Sequence, residues 1–197
     1  MQHRLLVAST NHGKLVELRQ ALAHPPYEVV TLAEAGHGGA EGPDETGRTF
    51  EENALLKARF FHARTGLATV ADDSGLEVDI LGGRPGVQSA RYGTNDADRI
   101  RRLLGEMEGV PVSERGARFV CAIALVGDGV EEVFRGECEG RIRYVPAGAN
   151  GFGYDPVFEP SGDSRTFAEM PADEKDAVSH RGRAMAALAA YLDSAED

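Results

Sequence analysis

Asp72 and Asp73 follow the apolar run Leu67-Ala68-Thr69-Val70-Ala71, and they are the residues in this chain best placed to do chemistry. A strand of small and branched residues buries readily, but two adjacent carboxylates cannot be buried with it unless each finds a partner. Successive strand residues face opposite ways, so the two acids serve different surfaces. Gly75 lets the chain turn sharply just after Asp72-Asp73-Ser74. Carboxylates at the end of a buried strand suit a hard cation such as Mg²⁺, which takes oxygen ligands and keeps waters and phosphate oxygens as the rest. A strand-ending turn with a helix cap or a salt bridge is the alternative.

Four other segments carry side chains of chemical interest. Ser9-Thr10-Asn11-His12-Gly13-Lys14 joins a strand to a helix, where exposed N–H groups and the helix dipole favour phosphate, although the spacing is not that of a Walker A loop. Taken by itself, the segment reads more readily as an ordinary capped turn. Asp44-Glu45-Thr46-Gly47 is an acidic loop before a helix on which Glu52, Asn53 and Lys57 lie within about one turn, offering metal ligands or simply a solvated surface. Gly151-Phe152-Gly153-Tyr154-Asp155-Pro156 gathers aromatic faces that can stack on a base and a carboxylate that can accept from one. Read as packing, it is a Gly/Pro turn with core aromatics. Ser179-His180-Arg181, near Lys175, is expected on the exposed side of the last helix as donors for a carbonyl edge, or as plain surface charge.

These groups need a scaffold. Strands are expected at Leu5–Ala8, Glu28–Leu32, Leu67–Ala71, Leu76–Leu81, Arg118–Val126, Val130–Phe134 and Glu139–Val145. Helices are expected from Lys14 to about Ala23, from about Thr49 (with a Thr49/Glu52 capping box), from Asp96 to Met107, and as one last helix from about Lys175 to Leu192. Its apolar stripe would be Val178, Met185, Leu188, Ala189 and Leu192. The stretch from Ala35 to Gly47 reads as a loop, and Gly82-Gly83-Arg84-Pro85-Gly86 as a stiff turn. The whole is α/β, and 197 residues fit one large domain or two intimate lobes.

Composition narrows the function classes. A net charge of −11 disfavours broad binding to nucleic acid. No apolar run approaches a membrane span or a signal-peptide core, so a cytoplasmic setting is expected. Cys121 and Cys138 lack metal-ligand spacing and are expected to be reduced and interior. Only three of the 21 basic residues are Lys, namely Lys14, Lys57 and Lys175. Because an ammonium and a guanidinium are not interchangeable at a phosphate, those three positions merit attention.

Taken in order, the Ser9–Lys14, Glu45–Ala58, Ala71–Leu76, Gly82–Tyr92, Gly151–Pro156 and Ser179–Arg181 segments resemble the inosine triphosphate pyrophosphatase family, and all three lysines fall inside or beside them. The resemblance implies a single pyrophosphatase domain over residues 1–197, with a mixed α/β fold in which a long central sheet and flanking helices form two lobes around a cleft. It implies a homodimer and Mg²⁺-dependent cleavage of non-standard purine nucleoside triphosphates (ITP, dITP, XTP) to the monophosphate and pyrophosphate. By position, Asp73 is implied as catalytic group and metal ligand, with Asp44 or Glu45 as the second ligand. Ser9, Thr10, Asn11, His12, Gly13 and Lys14 would hold phosphates. Ser74, Phe152, Gly153, Tyr154, Asp155, Lys175, His180 and Arg181 would meet the rest of the substrate. A pyrophosphatase for pyrimidine or modified nucleotides, and a nucleotide sensor without turnover, remain the rival readings.

Overall fold

A computed structural model describes residues 3–9, 12–22, 27–127 and 129–194. In chain order the elements are β1 (His3–Val7), α1 (His12–Leu22), β2 (Tyr27–Thr31), α2 (Phe50–Thr65), β3 (Ala68–Val78), α3 (Asp96–Glu106), β4 (Gly116–Gly127), β5 (Val130–Ile142), β6 (Phe158–Pro160), α4 (Ala172–Val178) and α5 (His180–Ser194). The six strands are ordered β2-β1-β3-β4-β5-β6 in one sheet. The chain divides into two compact units, one of residues 1–73, 122–135 and 184–197, the other of residues 74–121 and 136–183.

In the first unit β1 runs parallel to both neighbours, with Leu5 opposite Val29 of β2 and Ala68 of β3. Parallel strands are covered on both faces, which is why Leu5, Leu6, Val7, Val70 and Ala71 form near-continuous apolar runs and are all buried. Helix α2 buries Phe50, Ala54, Ala58 and Phe61, a stripe at helical spacing in which each phenylalanine contributes roughly 1.5–3 kcal/mol. Thr49 caps it, its hydroxyl accepting from the Glu52 N–H at 3.2 Å. The capping box is only half made, because Glu52 accepts from the Arg48 N–H and not from that of Thr49. Gly66 ends the helix at φ 67°, a conformation that costs a residue without Cβ little.

The second unit packs around Leu76, Val78, Leu103, Phe119, Phe158 and Phe167. Strand β6 lies antiparallel to β5, with Ile142 opposite Phe158. Arg115 is 1 % exposed and, among the described residues, is met by carbonyls: it donates to those of Ile142, Met107 and Arg143 at 2.7, 3.0 and 3.2 Å. One buried cation thus ties the end of β5 to the chain leaving α3. Burial lowers its pKa, although a guanidinium stays charged. Cys121 and Cys138 are both buried, the interior position expected of them.

Two expectations need correcting. Gly75 makes no turn: β3 runs unbroken from Ala68 to Val78 through both acids, because each carboxylate finds a partner where it stands, and the segment after it is a 3₁₀ turn at Asp79–Leu81. The last helix is two helices. Ser179 sits in extended backbone at φ −72°, ψ 157°, and its hydroxyl accepts from the Gly182 N–H at 3.0 Å, so it is an N-cap in the middle of the expected helix. The stripe is broken accordingly: Val178 is exposed while Met185, Leu188 and Leu192 are buried.

Candidate active site

In the first unit α2 presents Asn53 and Lys57, four residues apart and so on one face, to the Asp73 carboxylate. Asn53 Nδ2 donates to Asp73 Oδ2 at 3.2 Å, and Lys57 Nζ lies 3.4 Å from Oδ1. The same ammonium donates to Glu45 at 2.9 Å. Asp72, on the other face of β3, receives Lys14 Nζ at 2.7 Å from α1. The alternation of one strand therefore sends two adjacent acids to two different lysines.

The charges are unbalanced in an informative way. Burial raises the Asp73 pKa most and nearby Glu45 adds to it, against Lys57, Lys14 and the Asn53 hydrogen bond. Burial works to lower the Lys57 pKa, but Asp73, Asp72 and Glu45 outweigh it and raise that pKa above its ordinary value. A cationic environment is what this carboxylate cluster favours. Among the described residues no three His, Cys, Asp or Glu side chains converge as a closed metal cage. Two carboxylates on one ammonium still fit a hard divalent ion that takes its remaining oxygens from water and phosphate.

In the second unit Lys175 Nζ lies 2.7 Å from Asp155 Oδ2, which also accepts from the Phe152 N–H at 2.9 Å. Burial raises the Asp155 pKa, against Lys175, the Phe152 N–H and Arg181. The turn closes this tightly because Gly151 lacks a Cβ, which would stand 2.0 Å from Asp155 Oδ2. Lys175 Nζ and Arg181 Cζ lie 5.1 and 5.5 Å from the centre of the Phe152 ring, within cation–π range. Arg181 donates to the Ser74 hydroxyl at 3.2 Å. The His180 ring stacks on Phe119 at 4.7 Å and 10°, and Phe119 stacks in turn on Phe167.

Ser179, His180 and Arg181 are 2, 5 and 4 % exposed, so the expectation of an exposed helix face is overturned by the helix break that turns them inward. Phe152 stays partly exposed. Tyr154 is buried and donates to the Ser89 carbonyl at 3.0 Å, while the Gly153 N–H donates to Asp96. A cavity of about 610 Å³ beside this turn is lined by Ile100, Leu104, Pro146, Phe152 and Pro156 but not by Asp155, Lys175, His180 or Arg181.

Of the other expected site residues, Ser9 stands two residues beyond the end of β1, and His12 and Gly13 open α1. Thr10 and Asn11 lie outside the described residues. Asp44 is exposed, whereas Glu45 is half-buried and reaches Lys57. Phe119 had no signal in the sequence, where it read as one more apolar strand residue. Ser179 did have one: a capping residue followed by the donors of a new first turn.

A sequence model of the Ham1 family matches residues 5–191. The chain is 54 % identical over 197 residues to the dITP/XTP pyrophosphatase of Mycobacterium bovis, covering 97 % of this chain and 96 % of that one. It is 51 % identical over 187 residues to the protein of the same name from Symbiobacterium thermophilum, covering 94 and 92 %. Among solved structures, a HAM1 protein from Coxiella burnetii superposes with a TM-score of 0.90 at 39 % identity, covering 98 % of this chain and all of that one.

Proposed function

The chain belongs to the Ham1 family, and from that premise we propose that it hydrolyses non-standard purine nucleoside triphosphates (dITP, ITP, XTP) to the monophosphate and pyrophosphate, cleansing the nucleotide pool. The observation that carries this reading is the near full-length match to relatives of that name, which takes in the clusters around both Asp73 and Asp155.

Asp73 is the proposed base. Its raised pKa suits it to accept a proton from water, and Asn53 and Lys57 hold its two oxygens in one orientation. Lys14 and Lys57 supply the positive charge that triphosphate oxygens need, and the start of α1 after Ser9-Thr10-Asn11 offers N–H groups to the same anion. Asp73 and Glu45 are the proposed holders of Mg²⁺, with Asp44 on the same loop. When bound, that ion neutralises phosphate charge and makes a coordinated water more acidic. Phe152 offers a face for a base, and Lys175, His180 and Arg181 are donors for a 6-carbonyl, with Ser74, Gly153, Tyr154 and Asp155 building the turn and strand around them. A homodimer in the cytoplasm completes the proposal.

Phosphorus NMR of the products, with and without Mg²⁺, tests this. Pyrophosphate and a monophosphate are expected from dITP and XTP, with loss of turnover in chelator. A nucleoside diphosphate appearing first would overturn the reaction, and equal kcat/KM for ITP and ATP would overturn the base assignment.

A further inference from the structure

We propose that Asn53 is a positioning residue whose single side-chain amide holds the Asp73 carboxylate and the loop carrying Glu45 in a fixed mutual register; this rests on the hydrolase reading above. Asn53 is 0 % exposed, and a side-chain amide buried that completely must spend its donors and acceptor on specific partners. Its Oδ1 accepts from the Gly47 N–H at 2.8 Å and its Nδ2 donates to Asp73 Oδ2 at 3.2 Å. The orientation follows from chemistry: a backbone N–H can only donate and an ionised carboxylate can only accept, so the amide fits one way round.

What lies at each end gives the arrangement its meaning. Gly47 closes the acidic loop two residues after Glu45, and Glu45 shares Lys57 with Asp73. Loop and strand are thus joined twice, by the Lys57 ammonium and by the Asn53 amide, both projecting from one face of α2. That helix is anchored by Phe50, Ala54, Ala58 and Phe61, so it serves as a rigid spacer. The approach is close enough to demand glycine at 47, since a Cβ there would meet Asn53 Oδ1 at 2.6 Å and Glu52 Cβ at 2.7 Å. With Lys57 on Oδ1 and Asn53 on Oδ2, both oxygens of Asp73 are aimed, and neither contact adds a competing negative charge.

Asn53→Asp is the decisive variant, because it keeps shape and the acceptor for Gly47 but replaces the donor to Asp73 with an oxygen. The readouts are steady-state kinetics on dITP and amide hydrogen exchange at Gly47. We expect kcat to fall about a hundredfold with KM changed by less than about threefold, the signature of lost positioning, while Gly47 exchange stays near wild type. Asn53→Ala removes both bonds; it should lose kcat similarly and also speed Gly47 exchange by about tenfold. Should Asn53→Asp fail to fold, Asn53→Ala carries the test. The proposal is overturned if either folded variant keeps kcat near wild type, if the loss lies in KM alone, or if Asn53→Asp loosens Gly47 as much as Asn53→Ala. Wild-type protein inert on dITP and XTP would instead defeat the parent reading, and unchanged Gly47 exchange in Asn53→Ala would then still count against the amide strut.

Discussion

Lys175 Nζ and Asp155 Oδ2 lie 2.7 Å apart with side chains only 9 and 4 % exposed, forming a nearly dry ion pair under the Phe152 ring. A pair so buried is marginal as a source of stability, but removing one partner strands the other charge. Asp155→Asn should cost about 3–5 kcal/mol and lower Tm by roughly 10 °C, read by calorimetry. Lys175→Met should be gentler in acid, because Asp155 can take up a proton. Losing Lys175 removes a contact that opposes burial, so the Asp155 pKa rises further above its unfolded value. Stability of Lys175→Met is then fullest below the ordinary carboxylate range and declines as pH rises through the raised pKa. A Tm deficit relative to wild type that shrinks towards neutral pH would contradict this.

Asp73→Asn should reduce kcat by several powers of ten while nucleotide still binds, because an amide can neither take a proton from water nor supply ligand charge. The amide keeps one acceptor oxygen for Asn53 or Lys57, and Lys57 keeps its bond to Glu45, so the fold should survive. Turnover and equilibrium binding of dITP, measured on the same preparation, separate the two effects. Retention of a tenth or more of the wild-type rate would remove Asp73 from the mechanism.

Lys14→Arg should hurt far more than Arg102→Lys. Lys14 reaches a 1 % exposed Asp72 carboxylate as a compact ammonium, and a planar fork there would displace phosphate-binding groups, with a cost in kcat/KM of about a hundredfold. Arg102 lies on the outer side of α3 with Glu106, where exchange should leave kcat/KM within about twofold.

Phe119→Leu should loosen selectivity more than it slows turnover. The His180 ring rests parallel to Phe119, and a branched aliphatic chain gives it no flat surface to lie against. We expect the ITP-to-ATP ratio of kcat/KM to fall by about tenfold, with kcat for ITP largely kept. An unchanged ratio would show that the stack does not aim His180.

How much of this could be read from the sequence depends on the range of the interaction concerned. Periodicity located β1, α2, α3 and the β4–β5 pair, because a buried face repeats its apolar residues locally. The adjacent carboxylates already required two partners on two faces, and the scarcity of lysine marked the three ammonium groups that pair with buried acids. Pattern could not tell that Gly75 stays extended, since glycine permits a turn without requiring one. Nor could it tell that Ser179 restarts a helix and turns His180 and Arg181 inward, because a capping serine resembles an exposed one until its N–H partner is known. Glu45 meets Lys57 of α2, Asn53 meets Asp73 of β3, and Phe119 meets His180, across separations of 12 to 61 residues. One strand's local order carries no record of such pairings, and only the packed tertiary structure decides them.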